Sequence, residues 1–325
     1  LEPTYKLPTK AQSVVPALGA PNIVCQNRIG AMKIHERFEQ QFRQIKNATV
    51  RDALIGIEAI DFGAPSYGIF NPNQTVFVGR DTPLHEIFGI FSRFRVYQFV
   101  QIERPDFMNN LYLASAILKH PGRFTQSPYP MLFPNQNSSQ ETATPAPHAV
   151  EFTFQHYQDR NHILSKLETF LEQTPAAHQQ IDSVVLIIDE MMKNSLWAPI
   201  DDDGRRIYSP DLNSITDPRM EPDKPGKIFV LHDAKRLIIG CKDLYGSLEP
   251  TGFVDLLNQT FDPYLQEDLA QRNYGLGYKN MIDHSSDLIV VSRRNVQTVV
   301  CCSLQLGIPS KKHLSMPKNI HFHFY

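Results

Sequence analysis

The sequence predicts an α+β protein in two parts. The C-terminal part is a two-layer α/β sandwich, a mixed sheet with helices on one face; a smaller β-rich or α+β module precedes it. Three observations carry this expectation. Between 149 and 307, segments follow in the order strand, helix, helix, strand, strand, helix, strand, strand. The stretch FPNQNSSQETATPAPHA, 133 to 149, is crowded with Ser, Thr, Gln, Asn and Pro and nearly free of apolar residues, which is linker chemistry. The chain has 325 residues, room for one large domain or two ordinary ones. The expected division is 1–132, a linker at 133–148, and 149–325.

In the first part, residues 1 to 22 read as an extended arm rich in Pro and Ala. AMKIHERFEQQFRQIKN (31–47) sets Met32, Ile34, Phe38, Phe42 and Ile45 roughly on one helical face. ALIGIEAIDFG, QTVFVGR, FRVYQFVQIE and LYLASAIL read as strands, the last two separated by the turn-rich RPDFMNN. Arg93, Arg95 and Arg104 are candidates for an anion site, although scattered arginines on a strand surface are more often simply solvated.

The second part opens with HAVEFTFQH, which alternates as a strand does, and RNHILSKLETFLEQ, whose Ile163, Leu164, Leu167, Phe170 and Leu171 make a helical face. IDSVVLIIDEMMKNSLWAP (181–199) follows. Its VVLIID run alone admits a strand, but the pattern continues through Met191, Met192 and Leu196 and stops at Pro199, as a helix would. A polar loop spans 200–226; its DDDG resembles a calcium loop only in its first residues. KIFVLHD and RLIIGCKD are strands joined by a turn at 232–235. A loop and short helix, the glycine turn and helix of YGLGYKNMIDHS, and the hairpin DLIVVSRRNVQTVVCCSLQL complete the order. IHFHFY makes a last strand with His321 and His323 on one face, a metal pair with no further ligands beside it. His156, His162 and His178 read as surface or capping histidines.

A net charge of -2 gives no electrostatic reason to expect nucleic acid or an acidic membrane as partner. Of four cysteines, Cys301 and Cys302 are adjacent in a strand and point to opposite faces, and Cys25 and Cys241 have no metal-type spacing. That is a reduced, cytoplasmic pattern. No apolar run reaches membrane-span length, and no secretory signal opens the chain.

Chemistry concentrates in three places. On the 181–198 helix Glu190 and Asn194 are one turn apart and share a face, with Asp189, Lys193 and the only tryptophan, Trp197, on neighbouring stripes. Such a pair can hold magnesium on the amide oxygen while the carboxylate orients water or accepts a proton, although the same spacing is common on any solvated helix face. GCKDLYGSL sets Asp243 at a strand end, where a carboxylate can accept from an exocyclic amine, with Gly246 in the turn beyond. YGLGYKN sets Gly275 and Gly277 at a helix start, where bare amides can face phosphates.

Taken in this order, the Glu190–Asn194 helix, the Asp243 strand end and the Gly275-Leu276-Gly277 turn resemble the ATP-binding (Bergerat) fold of the histidine kinase-like ATPase superfamily, GHKL. The similarity is greatest to its anti-sigma-factor serine kinase branch and covers about 149–307. The resemblance implies ATP and Mg2+ as cofactors, Asn194 on the metal and Glu190 as catalytic base. It implies Lys193 near phosphate, Asp243 and Thr298 at adenine, Gly275 and Gly277 on the phosphates, and a lid between Gly246 and Gly275. Tyr245 stands where the family's D-x-G-x-G pattern has its first glycine, and Gln297 where a glycine precedes the threonine. The resemblance implies a regulatory ATP-binding protein, a serine/threonine kinase or slow ATPase in signal transduction, with a protein partner and room for a homodimer. The rival is a non-catalytic module of the same fold that acts by protein–protein contact.

Overall fold

The computed structural model describes residues 75–133, 148–172, 175–199, 218–264, 275–308, 312 and 315–325, with the backbone of two strands at 22–25 and 57–59. The expected helix at 31–47, most of the linker and the DDDG stretch lie outside the described residues. Ten strands form one sheet: β1 Asn22–Cys25, β2 Ile57–Ala59, β3 Thr75–Gly79, β4 Gln98–Gln101, β5 His148–Phe154, β6 Gly226–His232, β7 Arg236–Asp243, β8 Asp287–Arg293, β9 Gln297–Gln305 and β10 Asn319–Phe324. Their order across the sheet is β2-β1-β3-β4-β10-β8-β9-β7-β6-β5. The described helices are α1 Leu84–Phe94, α2 Phe107–Lys119, α3 Pro121–Gln126, α4 Tyr129–Leu132, α5 Asp159–Glu172, α6 Pro175–His178, α7 Ile181–Leu196, α8 Pro250–Phe261 and α9 Leu276–Asp283.

The first four strands of that order are parallel, and β8, β9, β7, β6 and β5 are antiparallel neighbours. β10 joins the two sets, antiparallel to β4 and parallel to β8. The chain is thus a mixed α+β structure in which both parts contribute to a single sheet.

Period-two alternation sorts the strand residues onto two faces. Val230, Ile239, Val290, Val300 and Cys302 pack on one side with Leu167, Val184, Ile188 and Met281 from α5, α7 and α9. Phe229, Ile238, Val291, Val299 and Cys301 pack on the other with Leu113, Ile117, Phe124, Leu132 and Phe133 from α2 through Phe133. Helices therefore cover both faces, not the single face expected. Those that follow β5 all lie on one side, and the earlier part supplies the cover for the other. Full burial of each such side chain is worth about 1.5–3 kcal/mol. Cys301 and Cys302 do point to opposite faces; with Cys241 they are free and buried, and burial pushes the Cys241 and Cys302 thiols up to about 12.

LYLASAIL is not a strand; it lies inside α2. Phe107, Asn110, Leu111, Ala114 and Ile117 are buried at three- and four-residue spacing, and Leu and Ala are strong helix formers. Apolar density suggested a strand there, while the period specified a helix.

The junction around β10 is polar. Arg104, 4% exposed, donates to both oxygens of Asp106, lies 3.1 Å from Asp287, and donates through Nη1 to the carbonyls of Ser286 and Pro317. Asn319 Nδ2 donates to Asp287 at 2.7 Å. Lys318 Nζ donates to the Ser285 carbonyl at 2.6 Å, and burial with the nearby Arg104 pushes its pKa down to about 8. His321 Nδ1 lies 2.9 Å from Gln98 Oε1. Burial pushes His321 down to about 3 and His323 to about 4, so both rings are neutral at ordinary pH. Arg93 and Arg95 do not join Arg104: Arg93 lies over the Phe94 ring and Arg95 is 4.0 Å from Asp255.

Candidate functional site: the face between α7 and α9

α7 is helical because its apolar residues recur every three to four positions. Val184, Ile187, Ile188, Met191, Met192, Ser195 and Leu196 are buried against the sheet. A buried contact of 3.0 Å between Ser195 Oγ and Cys241 Sγ ties its last turn to β7. The polar residues that interrupt the pattern divide between two sides of the helix.

Glu190 and Asn194 face α9. A Cβ placed at Gly277 would lie 2.7 Å from Glu190 Oε2 and 3.6 Å from both Asn194 side-chain termini, so a larger residue there would have to displace the Glu190 carboxylate. Gly275 caps α9 with φ +83, a left-handed conformation that glycine adopts without strain. The first helical bond of α9 runs from Lys279 N to Gly275 O, which leaves the preceding amides without intrahelical partners. Asn280 Nδ2 donates to Glu190 Oε1 at 3.2 Å. Asn194 Nδ2 is buried and has no hydrogen-bond partner among the described residues. The sequence reading missed Asn280, although its spacing of three from Gly277 places it on the same helical face.

Lys193 turns the other way. Its Nζ is 2.5 Å from Asp189 Oδ2, and Asp189 Oδ1 also takes Arg160 Nε at 2.5 Å and the Tyr157 hydroxyl at 2.6 Å. Burial alone would lower the Lys193 ammonium, but the Asp189 carboxylate, with Glu190 behind it, outweighs that and raises it above the usual lysine value. Burial would raise Asp189, yet Lys193, Tyr157 and Arg160 together hold it below the usual carboxylate range.

At the end of β7, Asp243 and Thr298 are register partners, as are Thr298 and Ser292. Each is two residues from a side chain packed against α5, α7 and α9 (Cys241, Val300 and Val290), so all three face that layer. Ser292 Oγ and Thr298 Oγ1 are 3.1 Å apart. Asp243 Oδ1 accepts from the Tyr245 and Gly246 amides at 3.0 and 3.2 Å, closing a turn over itself. The Tyr245 ring is buried and its hydroxyl accepts from the Glu221 amide at 2.9 Å. Gly246, at φ +61, is pressed against the β8–β9 turn, where a Cβ would meet the Arg293 carbonyl at 2.0 Å. α8 lies within the span between Gly246 and Gly275, of which residues 265–274 lie outside the described residues.

No protein-family model matches the chain, and no curated protein matches it. Among the described residues no three His, Cys, Asp or Glu side chains converge as a metal site. Among the same residues no helix is long and apolar enough to cross a membrane. A magnesium ion does not require such a cluster, since one or two protein oxygens suffice when phosphates and water complete its shell. The residues at α7 and α9 fit that chemistry: a neutral amide and a carboxylate one turn apart, a glycine where a Cβ would intrude, and a buried donor in want of an acceptor.

Proposed function

We propose that this protein binds a magnesium–adenine nucleotide between α7 and α9, as a regulatory protein with a histidine kinase-like ATP-binding fold. The observation that carries this reading is Asn194 Nδ2, buried without a partner among the described residues, beside Glu190 and the start of α9 at Gly275 and Gly277. Leaving such a donor unsatisfied costs about 1–3 kcal/mol. A phosphate oxygen would recover that cost and also meet the bare amides of α9. Magnesium, when bound, would neutralise charge on the phosphates and fix their orientation. Asn194 would offer it the amide oxygen. Glu190, already held by Asn280, is the residue placed to take a proton from an attacking hydroxyl or water. Asp243 and Thr298 would form the base-recognising end.

Calorimetric titration of the folded chain with ATP, ADP and GTP, each with magnesium, tests this reading. Expected are a micromolar dissociation constant for ATP, about -8 kcal/mol, weaker binding of GTP, and loss of at least tenfold in Asn194→Ala. Gly277→Ala should bind more weakly than the native chain, because its methyl displaces the Glu190 carboxylate.

A second reading rests on Tyr245 and Asp243. In the superfamily resemblance a glycine follows Asp243 by two, whereas here a buried ring stands there and the carboxylate closes its own turn. That favours a non-catalytic module that keeps the fold and acts on a protein partner. No heat at millimolar nucleotide from a folded chain would select it.

A further inference from the structure

α8 is held between the two parts of the molecule. On one side it packs along α1: Phe88 stacks on Phe261 at 5.1 Å between ring centroids, Ser92 Oγ donates to Asp255 Oδ1 at 2.7 Å, and Arg95 approaches the same carboxylate. On the other side it meets α9. Lys279 Nζ lies 5.4 Å from the centre of that same Phe261 ring, and Phe253 meets Tyr278 edge-on at 4.7 Å. Thr260 Oγ1 and Leu256 sit where a Cβ on Gly275 would fall, at 2.5 and 3.2 Å. The turn that opens α9 therefore rests directly on α8. Two residues later Gly277 abuts Glu190 and Asn194.

We propose that α8 is a coupling element, through which the α1 side of the parallel part sets the position of the Gly275–Gly277 turn and hence the affinity of the α7–α9 site for nucleotide. Asp255 and Phe261 are its positioning residues. This rests on the nucleotide reading for its functional consequence, but the mechanical link does not. Packed aromatic rings transmit a shift because a close-packed interior has no slack to absorb it. A helix pinned on one side by a hydrogen-bonded carboxylate and on the other by a glycine contact moves as a unit. A partner or ligand that displaced α1 would therefore change the geometry around Asn194 without touching it.

Asp255 is partly exposed, so its loss removes the pin without opening the core. The experiment is hydrogen exchange by mass spectrometry on native, Asp255→Ala, Ser92→Ala and Asp255→Asn chains without nucleotide, followed by magnesium–ATP calorimetry. Exchange of the 278–283 amides should rise about tenfold in Asp255→Ala and Ser92→Ala. Asp255→Asn, which can still accept from Ser92, should stay near native. Faster exchange confined to 250–261, with 278–283 unchanged, would overturn the proposal. If exchange couples as expected and the native chain still binds no nucleotide, the coupling stands and the nucleotide reading falls. If the native chain binds and Asp255→Ala binds equally well, the regulatory role falls.

Discussion

The parallel and antiparallel parts of the sheet solve the same covering problem differently. β1, β2, β3 and β4 run parallel; the described crossover, from β3 to β4, places α1 on one face, and α2, which follows β4, covers the other. The antiparallel strands close with short turns at 233–235 and 294–296 and keep α5, α7, α8 and α9 together on one face. Their second face is covered by α2, α3 and α4, which belong to the other part. The difference teaches that neither part is complete alone. Apolar contacts cover the faces, and buried polar groups mark the join.

Two substitutions of large effect would break that comparison. Phe124→Ala, on α3, should destabilise the whole chain by about 3–5 kcal/mol in urea unfolding followed by circular dichroism, because its ring packs under the antiparallel strands. Arg104→Leu should cost a similar amount, about 3–5 kcal/mol, because Asp106 and Asp287 lose their buried cation. A single transition in both variants is expected of parts that share one sheet; two separated transitions would show that the parts fold independently.

Acid sharpens the comparison at the join. His321 and His323 have folded values of about 3 and about 4, below the usual histidine value near 6.5, so between these limits the unfolded chain binds more protons. Their contribution is fully present above pH 6.5 and is lost as pH falls toward 4. By pH 5 the loss should be roughly 2 kcal/mol for each ring. Denaturant midpoints measured from pH 7 to 5 check this, and His323→Asn should remove about half of the dependence. The smallest effect belongs to the sheet edge. Lys227 and Glu151 pair at 2.7 Å on β6 and β5 with both side chains largely exposed, and Glu151→Ala should cost no more than about 1 kcal/mol. A larger loss would mean that β5 is held from outside rather than by packing.

The antiparallel part was largely legible in the sequence because its strands alternate and its helices repeat at three and four. The order of elements from 148 to 305, the helix carrying Glu190 and Asn194, and the opposite facing of Cys301 and Cys302 follow from those periods alone. The parallel part was less legible. A strand covered on both faces shows apolar density without period, so LYLASAIL looked like its neighbours until Asn110 and Ala114 are placed on the buried face of α2. The role of α2, α3 and α4 in covering distant strands leaves no local trace at all. At the site, the glycines announced a close approach but not what approaches. Gly277 meets Glu190, whereas Gly246 meets the turn after β8, and only tertiary placement separates the two. The direction of Lys193 was likewise undetermined until Asp189, Arg160 and Tyr157 were placed together.

The place of β10 has a consequence for how the chain reaches this structure. β4 and β8 are separated by β10 alone, yet β10 follows both in the chain, and the pairing of Gln98 with His321 closes a very long loop. Pairings so distant in sequence form late and slowly. While residues 319–324 are still to be made, a nascent chain carries two unpaired strand edges at its middle, each a template for strands of another chain. Synthesis, rather than unfolding of the finished molecule, is therefore the stage at which this protein most needs protection from its own copies.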